Sequence, residues 1–152
     1  MPANVEPIFS KQGNTGCVAR WLPATTANTK SDGVGTIATD MLLAFTAGAN
    51  GAKIDRIRLA PAASAAATAT TATVARFYIS SVTSGATTNL NTFMFAEVAC
   101  PAQTADQTAT ATNYIEIPCG FVLPAGWTIL MSMHHAAAAN TSWGAIVFGG
   151  DY

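Results

Sequence analysis

Charge is scarce in this chain. Its 152 residues include 7 Lys and Arg and 8 Asp and Glu, for a net charge of -1. Charged side chains make up 10% of it, where a soluble domain ordinarily carries about a quarter. With no basic run there is no footprint for displacing counterions from a nucleic acid, so no nucleic-acid partner is expected. Long apolar runs are missing too. The charge-free stretch 118–150 is broken by Pro118, Gly120, Pro124, Gly126 and Gly144 and carries Asn140, Thr141 and Ser142, which no hydrocarbon-spanning helix accommodates; no membrane role is expected. The opening residues, MPANVEPIFSKQGNTG, lack the basic flank and apolar stretch of a secretory leader. Cysteine is limited to Cys17, Cys100 and Cys119, an odd number without a C-x-x-C spacing, so neither a zinc site nor a closed disulfide framework follows. Synthesis in a reducing cytoplasm is expected. A Cys100–Cys119 bridge, or one from Cys17 to another copy, stays open.

What is present is small and apolar. Half of the residues are hydrophobic, and Ala and Thr together make up about a third of the chain. A chain of this length forms one domain and buries roughly 70% of its unfolded surface. Its exterior is therefore built largely of Ala, Thr, Ser, Asn and Gly, and a near-zero net charge leaves little repulsion between neighbours. Such a surface is expected to be covered by copies of itself or by partners. Residues 1–33 hold Pro2, Pro7 and Pro23 and the apolar residues Ile8, Phe9, Trp21 and Leu22 without a period of 2 or 3.6, which reads as an extended N-terminal arm ahead of a domain over 34–152. Those four are the expected arm anchors, docked on the chain's own domain or on a neighbour, with the neighbour favoured.

From Thr36 onward short β-type runs recur between turn signals. TIATDMLLAF ends at TAGANGA, where Asn50-Gly51 suits a type I′ hairpin turn. TVARFYIS alternates Ala75, Phe77 and Ile79 against Val74, Arg76 and Tyr78, and TFMFAEVA and NYIEIP alternate likewise, the pattern of half-buried strands. Pro124-Ala125-Gly126 suits a type II turn into a strand with Trp127, Ile129, Met131 and Met133 on one face. PAASAAATATTATVA has helix-favouring alanines, but its threonines and the lack of a cap make it an exposed loop, with a short helix over 62–69 as the alternative. Seven or eight short strands without an amphipathic helix predict an all-β fold, an antiparallel β-sandwich or jelly roll.

Candidate chemistry is thin. His134 and His135 are adjacent, and neighbours in a strand point to opposite faces, so the pair does not chelate one ion. No G-x-S-x-G elbow is present, and Glu97 and Glu116 read as ordinary exposed acids of alternating strands rather than a catalytic pair. SDGVG at 31–35 lacks the repeated acids of a calcium loop, and NTS at 140–142 fits a glycosylation acceptor that matters only in a secretory pathway. Trp21, Trp127, Trp143, Tyr114 and Tyr152 are candidates for a sugar platform, with core packing as the expected use of most. No enzyme, metal or cofactor is expected.

The most concentrated feature is KIDRIR at 53–58, with four charges in six positions. Strict alternation would put Ile54, Arg56 and Arg58 on one face and Asp55, Ile57 and Leu59 on the other, mixing charge into both. A bulge near Asp55 or Arg56 returns Ile54, Ile57 and Leu59 to the core and sends Lys53, Asp55, Arg56 and Arg58 outward. Charges on such a strand block edge-to-edge aggregation and fix the register of a partner, so these four are the expected interface charges.

The succession FTAGANGAKIDRIRLA, TVARFYIS, NLNTFMFAEVACPA, YIEIPCGFVLPAGWTI and WGAIVFGGDY resembles small virion structural proteins of tailed bacteriophages, of the capsid decoration (cement) type. The likeness runs over 33–152; the arm, the cysteines and the Ala/Thr stretch 62–73 depart from it. The resemblance implies a small β-sandwich that sits as a trimer on the outer surface of a capsid, with the major capsid protein as partner, after synthesis in the host cytoplasm. A tail-associated or receptor-binding module of the same fold, touching a host glycan or protein through loops 80–91 and 101–113, is the alternative.

Overall fold

A computed structural model describes residues 18–63, 68–105 and 114–152. Among them there is no helix, and the strands fall into two four-stranded antiparallel sheets and two short ribbons. The strands are β1 (Val18–Trp21), β2 (Gly35–Thr36), β3 (Leu42–Thr46), β4 (Ala52–Ala63), β5 (Thr68–Ala69), β6 (Thr73–Ser80), β7 (Ala86–Thr87), β8 (Thr92–Cys100), β9 (Thr104–Ala105), β10 (Ile115–Leu123), β11 (Thr128–Met133) and β12 (Thr141–Asp151). The first sheet has the order β1-β12-β4-β10 and the second β3-β11-β6-β8; β2 pairs with β7 and β5 with β9. The all-β expectation holds. On the 62–69 stretch, Ala62 and Ala63 extend β4 and Thr68–Ala69 forms β5, while 64–67 lie outside the described residues.

One core serves both sheets. Ile54, Ile57, Leu59, Ile117, Leu123, Trp143 and Val147 from the first meet Phe45, Phe77, Ile129, Met131 and Met133 from the second, all buried. Phe95 of β8 links the sheets at their rim, with its ring centroid 5.1 Å from that of Phe121 on β10 and edge-on to it. The turns that looked like hairpins connect different sheets. Gly51 has φ +87° and donates its N–H to the Gly48 carbonyl, but Asn50 keeps a negative φ, so the expected type I′ turn is replaced by one that passes the chain from β3 in one sheet to β4 in the other. Trp127 N–H bonds the Pro124 carbonyl across Gly126 (φ +72°), which fits the expected type II turn, and this too carries the chain between sheets, from β10 to β11.

One expectation, that of half-buried strands, is corrected. β6 and β11 are buried on both faces rather than one: Arg76, Tyr78, Leu130 and Ser132 are as inaccessible as Phe77 and Met131. Residues 24–41 lie over the outward face of the second sheet. Asn28 N–H bonds the Met133 carbonyl, Arg76 donates to the carbonyls of Asn28 and Lys30, and the Tyr78 hydroxyl reaches Lys30 O and Ser132 Oγ. Met41, Tyr78 and Leu130 form a second small core there, with Ile37 against it. The described part of the expected arm is thus structural. Val18–Trp21 is a strand paired with β12, and Trp21 is fully buried in the main core beside Trp143, its indole N–H on the His135 carbonyl.

Candidate interaction surface

With β6 and β11 covered, the broadest open sheet face is the outward side of β1-β12-β4-β10, and the charges at 53–58 stand on it; on the second sheet Leu43, Phe93 and Met94 of the edge strands stay exposed. Along β4 the register against both neighbours skips Asp55: Arg56 pairs with Phe148 and Pro118, and Ile54 pairs with Gly149 and Phe121. The extra residue resets the alternation, so Ile54, Ile57 and Leu59 are all buried while Lys53, Asp55, Arg56 and Arg58 face outward. Glycine at 149 is what permits this. A Cβ there would collide with the Lys53 carbonyl oxygen.

The register then assembles a cluster. One ladder row crosses all four strands as Val18, Ile146, Arg58 and Glu116; the next holds Phe148, Arg56 and Pro118. Both guanidiniums converge on one carboxylate. Arg58 Nη2 lies 2.6 Å and its Nε 2.8 Å from Glu116 Oε1, and Arg56 Nε lies 3.1 Å from Oε2. Arg56 stacks on the Phe148 ring, 4.2 Å from its centroid, and Arg58 on Tyr114 at 4.3 Å. Aromatic faces attract such cations and hold the planar heads in place. Lys53 and Asp55 pair with each other at 3.0 Å. Around the cluster stand exposed apolar side chains: Val18 (58%), Ile146, and Val122 (59%), with the Tyr114 ring itself 55% exposed.

The other candidates are dispersed. Ile8, Phe9 and Cys17 lie outside the described residues, as do 106–113 of the second expected contact loop. Trp21 is buried within its own chain, so of the two docking modes expected for the arm anchors it takes the one on its own domain rather than the favoured one on a neighbour. Leu22 is 44% exposed and borders a groove of about 340 Å³ with Arg20, Ala62 and Ser142. His134 and His135 follow the end of β11, so strand alternation does not separate them; their rings pack edge-on, centroids 4.7 Å apart. Among the described residues no three His, Cys, Asp or Glu side chains are grouped to hold a metal ion. Glu97 and Glu116 sit on different sheets, each tied to arginine, Glu97 to Arg76 at 2.8 Å. Cys100 and Cys119 are free thiols, and burial pushes the pKa of each up, that of Cys100 to about 11. Of the candidate sugar-platform residues, Trp21 and Trp143 are core, and Tyr114 serves the arginine cluster.

Sequence reasoning anticipated the charges but not their partners. Glu116, Tyr114 and Phe148 are separated from β4 by 50 to 90 positions, about what it takes to bring in two further strands, and no local pattern links them. No protein-family model matches the chain, and no curated protein matches it.

Proposed function

We propose that this chain is a non-enzymatic structural protein of a virion, of the capsid decoration or cement type. It self-associates, as a trimer if it follows the proteins it resembles, and binds the outer surface of the head, clamping subunits of the major capsid protein. The observation that carries this reading is the outward face of the first sheet: a rigid Arg56–Arg58–Glu116 cluster stacked on Phe148 and Tyr114 and ringed by exposed apolar side chains. Arginine and tyrosine set in apolar surroundings are the usual carriers of binding energy at protein interfaces. The fold supports it at a coarser level. Setting aside the two-residue strands, the eight that remain run first-eighth-third-sixth in one sheet and second-seventh-fourth-fifth in the other, sharing one core, and this order supports reading the fold as a jelly-roll sandwich. Viral capsid and lectin domains use that architecture, an argument by analogy of fold.

The mechanism is mass action. A protein that binds only the assembled shell stabilises it by RT ln(1 + [L]/Kd) per site, and an oligomer spanning several subunits gains avidity without new contacts. The test is to image particles with and without this chain and to heat both. The reading expects density lost from the shell and earlier release of the genome when the chain is absent; density lost from the tail instead overturns it. That second outcome would favour a receptor-binding module, for which Leu90, 85% exposed in the 80–91 loop, is the supporting observation. Binding to a glycan array without affinity for shells would point the same way.

A further inference from the structure

The arginine cluster is unbalanced. Two guanidiniums share one carboxylate, and Lys53 is neutralised by Asp55, so the centre of the face keeps a net excess of one positive charge over the carboxylates of the described residues. Across the whole face, Arg20, Lys53, Arg56 and Arg58 stand against Asp55 and Glu116: four cations against two carboxylates. The remaining described charges, Lys30 and Arg76 against Asp32, Asp40, Glu97 and Asp151, lean the opposite way. Each guanidinium has five N–H donors. Arg56 commits its Nε to Glu116, and in a side chain 45% exposed both terminal nitrogens have no partner among the described residues. Stacking on Phe148 and Tyr114 fixes both heads before any ligand arrives, so little side-chain entropy is lost on binding.

We infer that Arg56 and Arg58 take a carboxylate supplied by the protein surface on which this face docks, an Asp or Glu seated among apolar side chains. This rests on the reading of the face as a docking surface and names the chemistry of its partner. A planar carboxylate matches the guanidinium fork, and its hydrocarbon stem meets Val18, Ile146, Val122 and the two rings. A bare phosphate would satisfy the charge and leave that apolar surround unused. In this arrangement Glu116 is a stand-in: in the free protein it holds both arginines, and in the complex it competes with the incoming acid.

That competition gives a test with a sign. The probe is hexanoate, titrated into the full chain while the side-chain Nε–H signals of Arg56 and Arg58 and the ring signals of Phe148 and Tyr114 are followed by NMR, with hexan-1-ol and inorganic phosphate as controls. Saturable shifts with hexanoate are expected, weaker ones with phosphate and none with the alcohol. Glu116→Gln is expected to tighten hexanoate binding about tenfold, because it removes the competing charge, whereas Arg56→Met and Arg58→Met lose it. Unfolding midpoints of the variants establish that each is folded. No shift with hexanoate, phosphate binding as tightly as hexanoate, or weaker binding by Glu116→Gln would each overturn the inference. The same variants are then bound to shells stripped of this chain. If Glu116→Gln tightens hexanoate but no variant binds shells, the shell reading fails and the carboxylate site stands. If wild type binds shells and Glu116→Gln changes nothing, the carboxylate inference fails and the shell reading stands.

Discussion

Gly149 is the residue on which the display of charge depends. It lies on β12 opposite Ile54, beside the skipped Asp55, where the two backbones come so close that a methyl group has no room against the Lys53 carbonyl. Gly149→Ala must either push β12 off β4 or undo the bulge, and undoing it turns Ile54 outward. Overpacking of this kind against backbone is expected to cost about 2 to 3 kcal/mol, read from the shift in urea midpoint. A loss under about 0.5 kcal/mol, the usual range of neutral surface changes, would mean the approach is relaxed easily. The bulge itself was legible in the sequence, because KIDRIR cannot alternate without burying charge. The need for glycine across from it was not, since nothing local to residues 148–150 announces which strand lies alongside.

At the level of elements, the outer face of the second sheet shows what pattern reading misses. TVARFYIS alternates well enough to predict one wet face, yet Arg76 and Tyr78 are buried beneath residues 24–41. That segment has no period because it is held by polar groups rather than by an apolar stripe, and only the partner strand's arginine reveals it. Arg76 joins three elements: its Nε binds Glu97 on β8, and its Nη1 binds the carbonyls of Asn28 and Lys30. Arg76→Ala takes the donor from the Asn28 carbonyl and leaves the Lys30 carbonyl only the Tyr78 hydroxyl, and is expected to destabilise the fold by about 2 to 4 kcal/mol. Hydrogen exchange gives the sharper check. Amides of residues 26–41 should lose protection before those of β4 and β12, and uniform loss would show that the segment and the core unfold as one. The sheet edges are guarded as well. β1 is only four residues long, β3 and β8 carry register shifts at Ala44 and Phe95, and β10 has Pro118 and a bulge at 119–120. Four blunted edges disfavour edge-to-edge pairing with another sheet.

For the molecule as a whole, scarcity of charge leaves few groups whose titration matters, and the informative ones are buried acids. Burial raises the Cys100 thiol from 9.0 to about 11 and holds the Tyr78 hydroxyl above its ordinary 10.0. Both are neutral in the native state at a pH where the unfolded chain has already released its protons. The unfolded state then binds fewer protons, so the contribution of these groups to stability is constant below about pH 9 and is lost as pH rises from about 9 to 11. Denaturant midpoints across that range should show the decline, and Cys100→Val should flatten part of it; an unchanged slope in that variant would place the effect elsewhere.

The position of β12 has one more consequence. It is the last of the twelve strands among the described residues to leave the ribosome, yet it lies between β1 and β4 and supplies Phe148 beneath Arg56. A nascent chain stalled before residue 141 therefore lacks both the middle of its first sheet and the ring that steadies the guanidinium. A chain that stops short of β12 cannot assemble the patch, because Ile146 and Phe148 are missing from it.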